Sequence, residues 1–245
     1  MQNIRAEDLV VIDIETASVS PDFEQLDKRW QELWQEKTSR SIPEGMTPSD
    51  FFPMRAGVMA EFSKIVCISI GYYIQSSPLK LRVKSFYGDD EQNILTAFTE
   101  AVSKMESFNK SWCFAGHNIK EFDIPFICRR LLINNMTIPP YLDFQNMKPW
   151  ETNMVDTFQY WRFGDYKNYT SLKLLAAAMG LPSPKDDIDG SMVGPLFHTG
   201  TPEERAINIK RIAAYCQKDV VTTANIILRF KHMDPMTDDD VEVAD

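Results

Sequence analysis

Residues Leu9 to Ile14 form an apolar run rich in Val and Ile that leads straight into Asp13-Ile14-Glu15-Thr16. Such a run predicts a buried strand over Leu9 to Glu15. Successive side chains on a strand alternate between faces, so Asp13 and Glu15 leave from one face near its C-terminal end, the usual address of ligand sites in open α/β sheets. Two carboxylates a few ångströms apart and shielded from water raise each other's pKa or destabilise the fold unless a cation sits between them. Taken by itself, an Asp-x-Glu pair reads more simply as a strand end carrying two solvated acids.

Two further stretches bring acids of their own. Thr201-Pro202-Glu203-Glu204 reads as a helix start, with Thr201 as N-cap, Pro202 at the first position and acids in the first turn. From Arg205 to about Lys231 apolar residues recur at helical spacing, which places Tyr215 and Asp219, four apart, on one face of that helix. Alone, they make an ordinary helix-surface pair. In the middle of the chain, Phe114-Ala115-Gly116-His117-Asn118-Ile119-Lys120-Glu121-Phe122-Asp123-Ile124-Pro125 follows a short apolar strand, Trp112 to Ala115, and precedes an amphipathic helix. Gly116 permits a tight exit from the strand. Asp123, with Pro125 just after it, fits a helix cap, which leaves Asn118 and Phe122 unexplained.

In this order and context, the three stretches resemble the DEDD superfamily of 3′–5′ exonucleases, in its tyrosine (DEDDy) branch, and most closely the exonuclease-like relatives of family B DNA polymerase proofreading domains. The resemblance runs from Val10 to Phe230. It matches Asp13 and Glu15 to the first motif, Asp123 to the second, and Tyr215 with Asp219 to the third, and it assigns Thr16, Asn118 and Phe122 to contacts with the 3′-terminal nucleotide. It implies an α/β, RNase H-like fold with a mixed five-stranded sheet and helices on both faces. The strands for it are Leu9 to Glu15, Ile65 to Ile74, Leu79 to Tyr87, Trp112 to Ala115 and Met154 to Asp156, with helices at Glu91 to Ser107, Leu172 to Met179 and Arg205 to Lys231.

The same resemblance implies a two-metal hydrolysis that releases 5′-mononucleotides. Asp13 bridges the cations, Glu15 and Asp219 complete one shell, and Asp123 acts through ordered water on the other. Tyr215 orients the attacking water, since a phenol is a poor base at neutral pH. Oxygen ligands without thiolate or imidazole favour Mg²⁺ or Mn²⁺, two per site, over Zn²⁺. Asp156 reads as a supporting or helix-capping acid rather than a ligand.

A chain of 245 residues that is 44% hydrophobic can bury one substantial core, and no linker divides it, so residues 1–233 are expected to form one domain. Pro21 to Ala60, with Trp30, Trp34, Phe51 and Phe52, reads as an insertion (21–60). Phe23, Leu26, Trp30, Leu33 and Trp34 fall near helical spacing and suggest packing, with a lid over the 3′ end as the other possibility. Residues 234–245 hold six acids and no base and read as a disordered tail, without which the net charge of −9 becomes −3. That balance argues against broad duplex binding but suits an enzyme gripping a few terminal nucleotides.

Cys67, Cys113, Cys128 and Cys216 lack C-x-x-C spacing and read as reduced core residues. With no signal peptide before the first strand and no membrane-length apolar run, the expected location is cytoplasmic. The expected partner is a nucleic-acid 3′ end, single-stranded or frayed DNA, attacked by a free-standing enzyme acting in trans in proofreading or repair. A catalytically silent nucleic-acid-binding module, and the same chemistry on RNA, are the alternatives. The loop Phe163 to Tyr169 can line a single strand, but nothing in its sequence decides that.

Overall fold

A computed structural model describes residues 4–108, 111–148, 151–182 and 188–244. The strands are β1 (Leu9–Ser18), β2 (Ser63–Ile74), β3 (Lys80–Tyr87), β4 (Cys113–Gly116), β5 (Met154–Asp156) and β6 (Val241–Ala244), in the order β5-β4-β1-β2-β3-β6. β1 pairs antiparallel with β2 and β2 with β3, while the β1–β4, β4–β5 and β3–β6 pairs are parallel. The sheet is mixed as expected, but among the described residues it has six strands rather than five.

The helices are α1 (Lys28–Thr38), α2 (Pro48–Arg55), α3 (Glu91–Phe108), α4 (Asp123–Ile133), α5 (Thr157–Arg162), α6 (Leu172–Ala178), α7 (Val193–His198) and α8 (Pro202–Phe230). The strand alternation of β1 separates two cores. Val10, Ile12 and Ile14 pack with Leu95 and Phe98 of α3 and Phe126 and Ile127 of α4. Leu9 and Val11 face the other way, onto Val220, Ala224 and Ile227 of α8. α8 begins with Thr201 as the expected N-cap, and Glu204 completes a capping box: Thr201 Oγ1 accepts from Glu204 N and Glu204 accepts from Thr201 N. It lies close on the sheet because β2 has Gly71 beneath it; a Cβ there would stand 2.7 Å from Val220 Cγ1.

The sixth strand overturns the expected disorder of the acidic tail. β6 runs along the open edge of β3, and Lys80 and Arg82 of β3 pair with Glu242 at 3.1 and 2.9 Å. Before it, Met236 is buried and exchanges backbone hydrogen bonds with the Asn225 amide at 2.8 and 3.2 Å. Complementary charges and one buried side chain hold a segment whose composition alone suggests solvation; the final Asp245 lies outside the described residues.

The 21–60 stretch packs largely on itself. Trp34, Phe51, Phe52, Phe23, Leu26 and Phe62 form a cluster, and the Trp34 indole N–H donates to the Pro48 carbonyl at 2.8 Å. Phe23 and Leu26 precede α1, whose N-cap is Asp27, so the helical spacing assumed from Phe23 starts too early. Trp30 and Leu33 remain partly exposed, with the Trp30 ring edge-on to Phe62 at 5.5 Å between centroids.

Candidate active site

The two-core division of β1 sends Asp13 and Glu15 toward α8. One oxygen each from Asp13, Glu15 and Asp219 lies within 4.8 Å of the others, so the acids from β1 and α8 lie together. The β1–β2 register slips between Glu15 and Thr16, where the partner passes from Cys67 to Ile65, an irregularity beside the acids after which pairing resumes to Ser18. Cys216 of α8 sits directly on the first acid, with its Sγ 3.2 Å from Asp13 Oδ2 and 3.4 Å from the Asp13 carbonyl.

Burial raises the Asp13 carboxyl well above the usual range, and the charges of Asp219, Asp123 and Glu15 push it further. Glu15 is raised well above its range by burial and then by Asp219. The Cys216 thiol is also pushed up, chiefly by burial, so it stays protonated and donates to Asp13 instead of offering a thiolate. The donor set is therefore made of carboxylate oxygens, which fits a hard divalent cation. Tyr215 is held protonated by burial and by Asp219, with which it hydrogen bonds.

Asp123 arrives from the opposite side of the sheet. β4 pairs with β1 only as far as Val11, which leaves the far end of β1 open on that side. There the Asp123 Oδ1 accepts the backbone N–H of Ile14 at 3.1 Å. The cap reading of Asp123 is thus replaced: Phe122 is the N-cap of α4, and the Asp123 side chain points into β1 instead of capping its own helix. It lies outside the three-carboxylate group, yet it contributes to the raised pKa of Asp13 and is itself pushed up to about 7, mainly by burial.

The turn carrying Asn118 is built around close contacts. A Cβ on Gly116 would fall 2.0 Å from Ile119 Cγ2 and 2.8 Å from the Ile12 carbonyl oxygen, so only glycine fits. Asn118 is left-handed (φ 65°), a conformation Asn tolerates better than most residues. Asp156 caps α5 and also accepts from Asn118 N at 3.0 Å and Lys120 N at 3.1 Å, as the supporting acid the sequence suggests. The Asn118 Oδ1 is buried and has no hydrogen-bond partner. Thr16 donates its hydroxyl to the Gly57 carbonyl at 2.6 Å, tying β1 to the end of the 21–60 stretch. Phe122 packs against Phe126 with ring centroids 5.4 Å apart.

His117 bonds Thr157 Oγ1 and the Thr170 carbonyl, both at 2.9 Å, and so braces the turn. The contact of Cys216 with Asp13 was hidden in the sequence, where Cys216 shows only as one more apolar position of α8; its place three residues before Asp219 is the one available signal.

β1 runs on to Ser18, past the expected end at Glu15, so its acids lie midway along it, and a mixed sheet with helices on both faces and acids gathered on this inner strand defines an RNase H-like fold of the exonuclease kind. The family B DNA polymerase from the hyperthermophilic archaeon Pyrobaculum calidifontis has a similar structure, with a TM-score of 0.52 and 15% identity over 91% of this chain and 24% of the polymerase. The chain thus spans about a quarter of that protein's length. A family profile described as a predicted 3′–5′ exonuclease related to the exonuclease domain of PolB matches residues 57–244, and the chain belongs to that family. Asp123, Tyr215 and Asp219 fall inside the matched stretch, and Asp13, Glu15 and Thr16 precede it. No curated protein matches the chain. Among the described residues, no helix is long and apolar enough to cross a membrane.

Proposed function

We propose that this protein is a metal-dependent 3′–5′ exonuclease of the tyrosine branch, which removes 5′-mononucleotides from single-stranded or frayed DNA. The observation that carries the reading is the convergence of Asp13, Glu15 and Asp219 within 4.8 Å, with Tyr215 bound to Asp219. Empty, such a cluster repels itself, and a fold retains it where a ligand offsets that cost.

Asp13, Glu15 and Asp219 would hold Mg²⁺ or Mn²⁺, with Asp123 serving a second ion through water. What the cations supply when bound is acidification of a water and neutralisation of charge on the phosphate. Tyr215 stays protonated and orients the attacking water through its hydroxyl without taking the proton. Asn118 offers its unpartnered Oδ1 to the terminal 3′-hydroxyl, a donor, while its backbone stays fixed by Asp156. Thr16, next to Glu15, and Phe122, next to Asp123, complete the seat of the terminal nucleotide.

Incubating a 5′-labelled oligodeoxynucleotide with the protein and Mg²⁺ or Mn²⁺ tests this reading. A descending ladder that vanishes with EDTA and with Asp13→Ala is expected. Tight binding with no ladder would replace the enzyme by a silent binding module, and a ladder on RNA alone would change the substrate.

A further inference from the structure

The loop between α5 and α6 carries Phe163, Tyr166 and Tyr169, with 87, 79 and 68% of their surfaces exposed. Phe163 is left-handed (φ 45°, ψ 34°) and followed by left-handed Gly164. A bulky aromatic in that conformation is strained, and Gly or Asn would relieve it. Its ring is nearly fully exposed, so packing does not account for a Phe there.

The loop is nonetheless held. The Arg162 guanidinium lies 3.9 Å from the Phe158 ring centroid and 5.4 Å from that of Tyr166, and pairs with Glu121 at 3.1 Å. Asp165 accepts from Lys167 N and the Asn168 amide, both at 2.9 Å. Tyr169 packs edge-on against Phe158 with centroids 5.1 Å apart, and Phe158 lies against His117, the neighbour of Asn118. Thr170, the next residue, meets His117 Nε2 through its carbonyl at 2.9 Å, so the Tyr169 end of the loop is fastened to the turn that carries Asn118. Exposed rings beside that turn, with the exposed Lys167 between Tyr166 and Tyr169, suit bases that stack while a phosphate meets a cation.

Resting on the exonuclease reading above, we propose that Tyr169, Tyr166 and Phe163 form a stacking track for the unpaired bases immediately 5′ of the terminal nucleotide. Stacking uses the π-face that every base has, so the track is tolerant of sequence.

Fluorescence anisotropy with a 3′-unpaired oligodeoxynucleotide in EDTA reads this binding without cleavage. Phe163→Ala and Tyr166→Ala are each expected to weaken affinity roughly tenfold. Phe163→Gly, which removes ring and strain together, is expected to bind as weakly while melting at or above the parent. An oligonucleotide with abasic positions second and third from the 3′ end should lose the same factor against the parent and little more against the variants. Parental affinity in all three variants, with abasic sites tolerated, overturns the track. Hydrolysis of the p-nitrophenyl ester of thymidine 5′-monophosphate by the parent, which involves no upstream base, tests the catalytic reading separately.

Discussion

The backbone N–H of Ile14 donates to the Asp123 carboxylate at 3.1 Å, so a strand residue and the first residue of a helix 109 positions later share one buried hydrogen bond. It is made by the residue between the two acids of β1, and it carries Asp123 to their level from the opposite face of the sheet. Asp123→Ala leaves that buried N–H without an acceptor, at a cost of about 1–3 kcal/mol. Asp123→Asn keeps an acceptor and removes a buried charge. In EDTA the Asn variant should melt at or above the parent and the Ala variant below it, with the ladder lost in both; equal melting of the two variants would refute the structural share of this bond.

Protonation of the cluster sets the pH behaviour of the metal-free protein. Asp123 is pushed up to about 7, and Asp13 and Glu15 are raised too, against about 4 in an unfolded chain. The folded state therefore holds protons that the unfolded state releases. The stability this gives is full below about pH 4 and is lost as pH rises through about 7. The Tm in EDTA should fall between pH 5 and 7.5, and Mn²⁺ should raise it more at pH 7.5 than at pH 5.5. Scanning fluorimetry across that range, with and without Mn²⁺, gives the slope, and a Tm that climbs with pH in EDTA would contradict it.

Asp219 and Tyr215 share a helix face but differ in kind. Asp219→Ala should remove cleavage by roughly 10³-fold or more and leave the metal-free fold as stable or slightly more so. Tyr215→Phe, which loses only the orienting hydroxyl, should cost about 10–100-fold while thermal stabilisation by Mn²⁺ persists. Single-turnover rates at saturating Mn²⁺ separate the two, and near-parental turnover in Asp219→Ala would show the ligand assignment to be wrong.

Asn118 has a backbone role and a side-chain role that substitution can split. Asn118→Gly accepts φ 65° without strain and loses only the amide, so it should retain the parental Tm and raise KM for oligonucleotides. Asn118→Ala should show the same KM and melt below Asn118→Gly, because Ala tolerates the left-handed conformation less well than Asn or Gly. Melting curves beside steady-state kinetics distinguish these outcomes, and a parental KM in both would remove Asn118 from the substrate site.

What could be read from the sequence was local. The Val/Ile run of β1, the Thr201 N-cap and the Tyr215–Asp219 spacing each follow from neighbours within a few residues. What could not be read depends on partners far along the chain. β6 is ordered by Lys80 and Arg82, over 150 residues earlier, which no count of its own acids reveals. Asp123 looks like a cap because a cap is the nearest use for it, whereas its actual partner, Ile14, belongs to another strand. Phe23 and Leu26 continue the apolar spacing of α1 but lie in the turn before Asp27, where packing against Phe52 and Trp34 decides their place.

The alternation of β1 has a consequence for how the protein can change. Because odd positions carry Leu9, Val11, Asp13 and Glu15 and even ones Val10, Ile12 and Ile14, inserting or deleting a single residue ahead of Asp13 would swing both acids into the aromatic interior around Phe98 and Phe126. Chemistry and folding are thus written in the same two-residue phase, and variation that preserves one must preserve the other.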